Sequence, residues 1–244
     1  MRHVYGRHPV EALLEAKPGE VRRLYVSDGA EGPSIVIAER AGVPVERVPR
    51  ARLESLAKGP HHQGLVAEAQ DFRYAELTEI VPPGRPPLVL VLDSVQDPHN
   101  LGALARSAES LGGTGLLMAK DRSAPVSPVA LKSSAGALER LPVAQVVNLV
   151  RALESLKEQG VWVVGLAGEG SDELGGVDLT IPTALVVGAE GEGLRPLVRR
   201  TCDRLARIPL TGRTGSLNAS VAGAVALYEA HRQRLASLSR VEKA

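Results

Sequence analysis

Three stretches of this chain combine polar side chains with glycine in a way that could do chemistry. The first, "DPHNLGALARSAESLG", runs from Asp97 to Gly112 and carries Asn100 and Arg106. The second, "VVGAEGEGL", runs from Val186 to Leu194 and sets Glu190 and Glu192 among glycines. The third, "RIPLTGRTGSLNASVAGAVALYEAHR", starts at Arg207 and holds Ser216 and Asn218. Arginine offers a planar fork that suits phosphate. Glycines beyond a buried strand let backbone approach a ligand closely, where open α/β sheets hold their ligands. The glycine order is not the G-x-G-x-x-G of a dinucleotide site, and two carboxylates suit a pyrophosphate poorly. Each stretch also has a plainer reading on its residues alone. Arg106 would be a solvated arginine, the glycines a tight turn, and Ser216 or Asn218 a helix cap.

These residues need elements to position them. Leu101, Leu104, Ala105, Ala108 and Leu111 recur at helical spacing, so 97–112 is predicted as a helix with Asp97 as cap and Pro98 in its first turn. Arg106 falls opposite that stripe. Ahead of it "LVLVL" reads as a buried strand, followed later by "GLLMA", "PVAQVV", "VWVVGLA", "TALVVGAEG" and "RLARIPL". Helices are expected over "PVALKSSAGALE" and "NLVRALESLKEQG", after Gly193, and over "LNASVAGAVALYEAHRQRL". Continuous apolar strands between helices imply a parallel sheet covered on both faces. Residues before about 72 alternate in the same way: "PVEALLEA", "PSIVIAERAG" and "ARLESLAKG" read as helices, and "RRLYVS", "VPVERVP" and "GLVAEAQ" as strands. A Pro/Gly-rich stretch then marks a boundary. The expectation is a small α/β domain over 1–72, a linker over 73–87 and a second α/β domain over 88–244.

Composition narrows the function. Aromatic residues are only 2% of the 244, too few for a ring-rich platform stacking single-stranded bases. The net charge of +1 gives no overall pull on nucleic acid. The basic residues, however, are 23 arginines and six lysines, which suits local phosphate contacts. A GC-rich or heat-adapted genome would produce the same bias. The single cysteine, Cys202, excludes an internal disulfide and a thiolate zinc site, and no metal is expected. No apolar run reaches the ~18 residues of a membrane span, and the start lacks an apolar signal core. The chain is expected to be cytoplasmic.

The order and spacing of the three stretches resemble the SpoU/TrmH branch of the SPOUT RNA methyltransferases. The matching motifs are Asn100-Leu101-Gly102 with Arg106, then Gly188-Ala189-Glu190-Gly191-Glu192-Gly193. The last are Ile208-Pro209-Leu210 and Ser216-Leu217-Asn218-Ala219-Ser220-Val221-Ala222. They span most of residues 88–235. "VYGRHPVEALLE" and "HHQGLVA" are similar to the L30e-like substrate-binding domain of members that modify a guanosine of 23S rRNA.

The resemblance implies a SPOUT domain closed by a carboxy-terminal trefoil knot, a homodimer, and S-adenosylmethionine held by backbone at Ala167, Gly168, Gly188, Ile208, Leu210 and Leu217. It implies methyl transfer to a ribose 2′-hydroxyl of RNA, with Arg106 central and Asn100, Glu190, Ser216 and Asn218 around it. A free arginine is neutral about once in 10⁵ molecules at pH 7, so a charged Arg106 gripping phosphate stands beside the general-base role. A tRNA ribose methyltransferase of the same fold and a non-catalytic RNA-binding or assembly protein are the alternatives. The small residues Ala219, Ala222, Gly223, Ala224 and Ala226 of the last helix, with Val221, Val225 and Tyr228 at core spacing, suit either a tightly packed intrachain crossing or a subunit interface, and the resemblance favours a contact with a second copy of the chain.

Overall fold

The computed structural model describes residues 1–241. The end of the expected second domain, 242–244, lies outside them. The first sheet has four strands: β1 (Arg2–Tyr5), β2 (Val21–Ser27), β3 (Val45–Val48) and β4 (Leu65–Ala69). Their order is β1-β4-β2-β3, with β4 antiparallel to β1 and β2, and β2 parallel to β3. Helices α1 (Arg7–Ala16), α2 (Pro33–Arg40) and α3 (Arg50–Ala57) complete this unit. β1 was not anticipated. Its four residues are too few to show a period, and pairing with β4 holds it in place.

The second sheet has seven strands: β5 (Leu88–Leu92), β6 (Gly115–Ala119), β7 (Val143–Val146), β8 (Trp162–Leu166), β9 (Asp172–Glu173), β10 (Thr183–Val187) and β11 (Arg204–Arg207). Every pairing is parallel, in the order β7-β6-β5-β10-β8-β11-β9. β5, β6 and β10 are buried along their whole length, which explains their unbroken apolar sequences. Alternate residues serve the two faces. Leu90, Leu116, Leu185 and Val187 pack with α4 (Pro98–Ser110) and α9 (Ala219–Val241). Val89, Leu117, Ala184 and Val186 pack with α7 (Leu149–Glu158) and α8 (Pro196–Thr201). No described helix is long and apolar enough to cross a membrane.

One expected helix is two. "PVALKSSAGALE" forms α5 (Pro128–Ser133) and α6 (Ala137–Arg140), broken where Ala135 and Gly136 take φ of 49° and 88°. The cause is non-local. A Cβ on Gly136 would lie 2.4 Å from the Ala12 Cβ of α1, so the break lets the first unit seat closely on the second.

The segment 73–87 joins the two sheets but is no loose tether. Ala75 bridges Ala144, and Tyr74 Oη accepts from Val126 N–H at 3.2 Å. Ile80 is fully buried, its Cβ 2.4 Å from where a Gly115 Cβ would stand. Thr114 Oγ1 donates to the Ile80 carbonyl at 2.8 Å and accepts from Leu88 N–H at 3.2 Å. Nearby the fully buried Glu139 carboxylate of α6 receives both terminal nitrogens of Arg2, at 2.7 and 3.0 Å. Lys17 lies 3.7 Å from the same carboxylate.

Candidate active site

At the carboxyl ends of β8, β10 and β11 the sheet opens into a cavity of about 360 Å³. Four chain segments form most of its wall: Leu166 to Glu169 after β8, Val187 to Leu194 after β10, Ile208 and Leu210 after β11, and Gly215 to Leu217 before α9; Arg199 of α8 and Ala219 and Ala222 of α9 complete it. Ala167, Gly168, Gly188, Ile208, Leu210 and Leu217 all line it, as do Glu190 and Ser216.

The wall after β10 is a turn with no room for side chains at its base. Ala189 and Gly193 exchange backbone hydrogen bonds at 3.1 and 2.9 Å. A Cβ on Gly188 would fall 2.2 Å from the Gly193 carbonyl carbon, a backbone atom that cannot give way. Gly191 and Gly193 take φ of 79° and 67°, which favours glycine. This geometry projects Glu190 from the turn.

Glu190 is where the three polar stretches meet. Asn100, buried in the first turn of α4, donates through Nδ2 to Glu190 Oε1 at 2.8 Å. Asn218 Nδ2 donates to the same oxygen and lies 3.2 Å from Asn100 Oδ1. The other end of the Asn218 amide caps α9: Oδ1 accepts from the N–H groups of Ser220 at 2.8 Å and Val221 at 3.3 Å. Asn218, not Ser216, is therefore the helix cap, and it serves the site as well. Ser216 stands on the cavity wall.

Arg106 is exposed on the outward face of α4 and has no hydrogen-bond or ion-pair partner among the described residues. The stripe behind it is the core: Leu101, Leu104, Ala105 and Ala108 are buried, and Leu111 is half-buried. The structure thus joins Asn100, Glu190 and Asn218 and leaves Arg106 unpaired.

Two ion pairs of the site were missed from sequence. Arg199 of α8 reaches Glu169 at 2.5 Å, and both line the cavity. Asp93, just past β5, binds Arg195. Their partners lie far apart along the chain, where no local pattern can pair them. The only available signal was an acid directly after the buried run "LVLVL".

The arrangement suits a ligand with an apolar body and a positive centre. Leu166, Ile208, Leu210 and Leu217 supply apolar wall, and Glu169, Glu190 and Glu192 supply carboxylates. Only Glu169 among these three has an ion-pair partner among the described residues.

Comparison with known proteins decides the family. Residues 87–228 match the SpoU rRNA Methylase family, more than half of the chain. The chain belongs to the SpoU rRNA methylase family. Residues 3–75 also match the family described as RNA 2′-O ribose methyltransferase substrate binding. A relative from Vibrio parahaemolyticus, named 23S rRNA (guanosine-2′-O-)-methyltransferase RlmB, is 42% identical over 241 residues, covering 96% of this chain and 98% of its own. One of the same name from Pseudomonas putida is 42% identical over 244 residues, covering 96% and 97%. Among solved SpoU structures, the methyltransferase AviRb from Streptomyces viridochromogenes, in complex with AdoMet, superposes with a TM-score of 0.83 at 28% identity. That match covers 96% of this chain and 90% of AviRb.

The lone cysteine of this SpoU chain lies off the chemistry. Cys202 sits below β8, its Sγ 2.8 Å from where a Gly165 Cβ would stand, and donates to the Val198 carbonyl at 3.3 Å. Burial, reinforced by Asp203, pushes its thiol up to about 11. Little thiolate, the reactive form, is then expected at pH 8. Iodoacetamide is expected to alkylate it at least ~10-fold more slowly than free cysteine. Labelling as fast as a free thiol would contradict this placement.

Proposed function

We propose that this protein transfers the methyl group of S-adenosylmethionine to a ribose 2′-hydroxyl of RNA, at a guanosine of 23S rRNA. The observation that carries this reading is the Asn100–Glu190–Asn218 junction, whose Glu190 lines the cavity. Bound S-adenosylmethionine supplies a sulfonium-activated methyl group. The residues present fit it: apolar walls for the adenosine, glycine turns without side chains for close backbone approach, and carboxylates for the positive sulfonium. Ala167, Gly168, Gly188, Ile208, Leu210 and Leu217 would hold it.

The remaining residues would place the hydroxyl. Methyl transfer to oxygen is an in-line displacement, so orientation and proton removal are what the protein must add. Glu190, fixed by two asparagine amides, keeps a carboxylate oxygen beside the cavity. Ser216 offers a hydroxyl on the same wall. Arg106, exposed and unpaired, would grip an RNA phosphate and stabilise negative charge on the attacking oxygen.

The division of labour follows the two sheets: 1–72 for RNA recognition, 73–87 as the packed connection, 88–244 for catalysis. On the first unit Arg7, Lys58 and His61 are exposed, and Arg7 N–H donates to Gln63 Oε1 at 2.9 Å, two residues along the chain from His61. Lys132 of α5 donates to the His61 carbonyl at 3.2 Å and carries positive charge from there towards α4. Relatives named for 23S rRNA align across both units, whereas the tRNA-modifying TrmH/SpoU enzyme of A. aeolicus covers 66% of this chain. This favours rRNA over tRNA.

The test is methylation of 23S rRNA fragments and of tRNA by purified protein with labelled S-adenosylmethionine, followed by mapping of 2′-O-methyl groups. A modified guanosine in 23S rRNA is expected. Modification of tRNA alone would transfer the reading to the tRNA class. Saturable RNA binding with no methylation would leave a non-catalytic RNA-binding protein.

We also infer the trefoil knot and the homodimer. β11 lies between β8 and β9, inside the sheet edge, and α9 then returns to pack on α4, as a threaded last segment would. For the dimer, the expected contact needs correction. The small residues of α9 serve an intrachain crossing: a Gly223 Cβ would lie 2.3 Å from Leu104 Cδ2, and Ala226 is fully buried. The residues read as core, Val221, Val225 and Tyr228, are instead 47%, 37% and 58% exposed. That row at i, i+4 and i+7 is the proposed two-fold contact. Tyr228→Asp is expected to weaken dimerisation by about 2 kcal/mol, or roughly 30-fold in Kd. Sedimentation of a monomeric, fully active wild type at micromolar concentration would rule this out.

A further inference from the structure

We propose that Asp93 is a positioning residue for methyl transfer: it holds the Glu190 turn against the strand that leads to Asn100. The proposal rests on the function proposed above. Asp93 directly follows β5, and its carboxylate is completely buried. Oδ2 accepts from the backbone N–H of Arg195 at 2.7 Å, and Oδ1 accepts from Arg195 Nε at 2.5 Å. Its own N–H donates to the Val187 carbonyl at 2.8 Å, extending the β5–β10 ladder.

The placement matters because of what lies on each side. From Asp93 the chain turns at Ser94, with φ of 66°, passes the Asp97 cap and enters α4 with Asn100. From Val187 the other segment forms the Glu190 turn, seats Leu194 within 2.7 Å of a Gly165 Cβ position, and reaches Arg195 at the start of α8. The Asn100–Glu190 hydrogen bond therefore spans two loops that Asp93 ties together at their base. Ala189 and Gly193 close the turn on itself but do not fix it to β5. Without Asp93, nothing else among the described side-chain bonds joins Arg195 to the β5–α4 connection. A displacement of about 1 Å in a positioned group can cost as much as 10²-fold in rate.

A carboxylate is the group this position needs. Its two oxygens accept from a backbone N–H and from a guanidinium at once, and the guanidinium offsets the buried charge. Asparagine has one acceptor oxygen and would turn an NH₂ group towards one of the two donors.

The test compares Asp93→Asn, Glu190→Ala and the double variant in the full chain. Asp93→Asn is expected to lower kcat at least ~10-fold with KM for RNA within about two-fold. Added to Glu190→Ala it should cost less than about two-fold more in kcat, because it acts through Glu190. A merely structural residue would lower kcat by the same factor in both backgrounds. Arg195→Ala gives the same comparison if Asp93→Asn folds poorly, and Arg195→Lys should recover part of the loss. Hydrogen exchange supplies a readout without activity: the Ala189 and Gly193 amides should exchange at least ~10-fold faster in Asp93→Asn, with the Val186 amide unchanged. Wild-type kcat in Asp93→Asn, additive losses in the double variant, or unchanged exchange at Ala189 and Gly193 would each overturn the proposal. A wild type that fails to methylate any RNA would refute the proposed function instead, and the exchange measurement would still decide the role of Asp93.

Discussion

Replacing Arg106 with alanine is expected to leave S-adenosylmethionine binding within about two-fold and to lower methylation at least ~10²-fold, the range of a positioned catalytic group. The structure makes the experiment clean. Arg106 is exposed, packs in no core, and has no partner among the described residues, so its truncation should change stability by no more than about 0.5 kcal/mol. It also lies outside the cavity wall, so the cofactor site loses no contact. A rate loss without a binding or stability loss then belongs to the RNA side of the reaction. Arg106→Lys is expected to fail too, because a point charge does not reproduce a planar fork on phosphate. Calorimetry with S-adenosylmethionine and single-turnover methylation are the two measurements. Activity of the alanine variant within a few-fold of wild type would remove Arg106 from the mechanism.

The sequence disclosed the parts of this site more readily than their meeting. Buried strands were visible because a strand covered on both faces must be apolar throughout, as β5, β6 and β10 are. The residue types of Asn100, Glu190 and Asn218 stood out against their glycine surroundings. That Glu190 bonds Asn100 across 90 residues, and that Asn100 bonds Asn218 across 118, depends on strand order. Periodicity cannot give strand order in a parallel sheet. The α9 stripe shows the same limit. Its small residues announced a close contact, but only the fold reveals that Leu104 fills it. Two-residue β9 is too short to leave a pattern, and the α5–α6 break answers to Ala12 of a distant helix.

Residues 1–72 read from sequence as a domain of their own, and Glu139 ties that unit to the second. Its carboxylate is fully buried on α6, yet its partners Arg2 and Lys17 both belong to the first unit. Arg2 also donates through Nε to the Gln70 carbonyl at 2.9 Å. The two cations lie 5.3 and 5.4 Å from the centre of the Phe72 ring. Removing one member of a buried ion pair costs up to about 3–5 kcal/mol when its partner is left uncompensated; here Arg2 keeps Glu20 at 3.7 Å and Lys17 is partly exposed, so the loss should fall towards the low end. Against a typical total stability of about 5–15 kcal/mol, Glu139→Ala should therefore lower the urea midpoint sharply. The double replacement Arg2→Met with Glu139→Leu should come much closer to wild type, since apolar groups often substitute for a buried pair at little cost. Apolar residues of both units also form one continuous core, from Val4 to Ala230, so unfolding should be a single transition. Deleting residues 1–75 removes both cations and strands the Glu139 charge. A truncated chain carrying Glu139→Leu is thus the form in which to ask whether S-adenosylmethionine still binds while RNA affinity falls. If the truncated chain proves equally stable with Glu139 left in place, the buried pair does not hold the two units together.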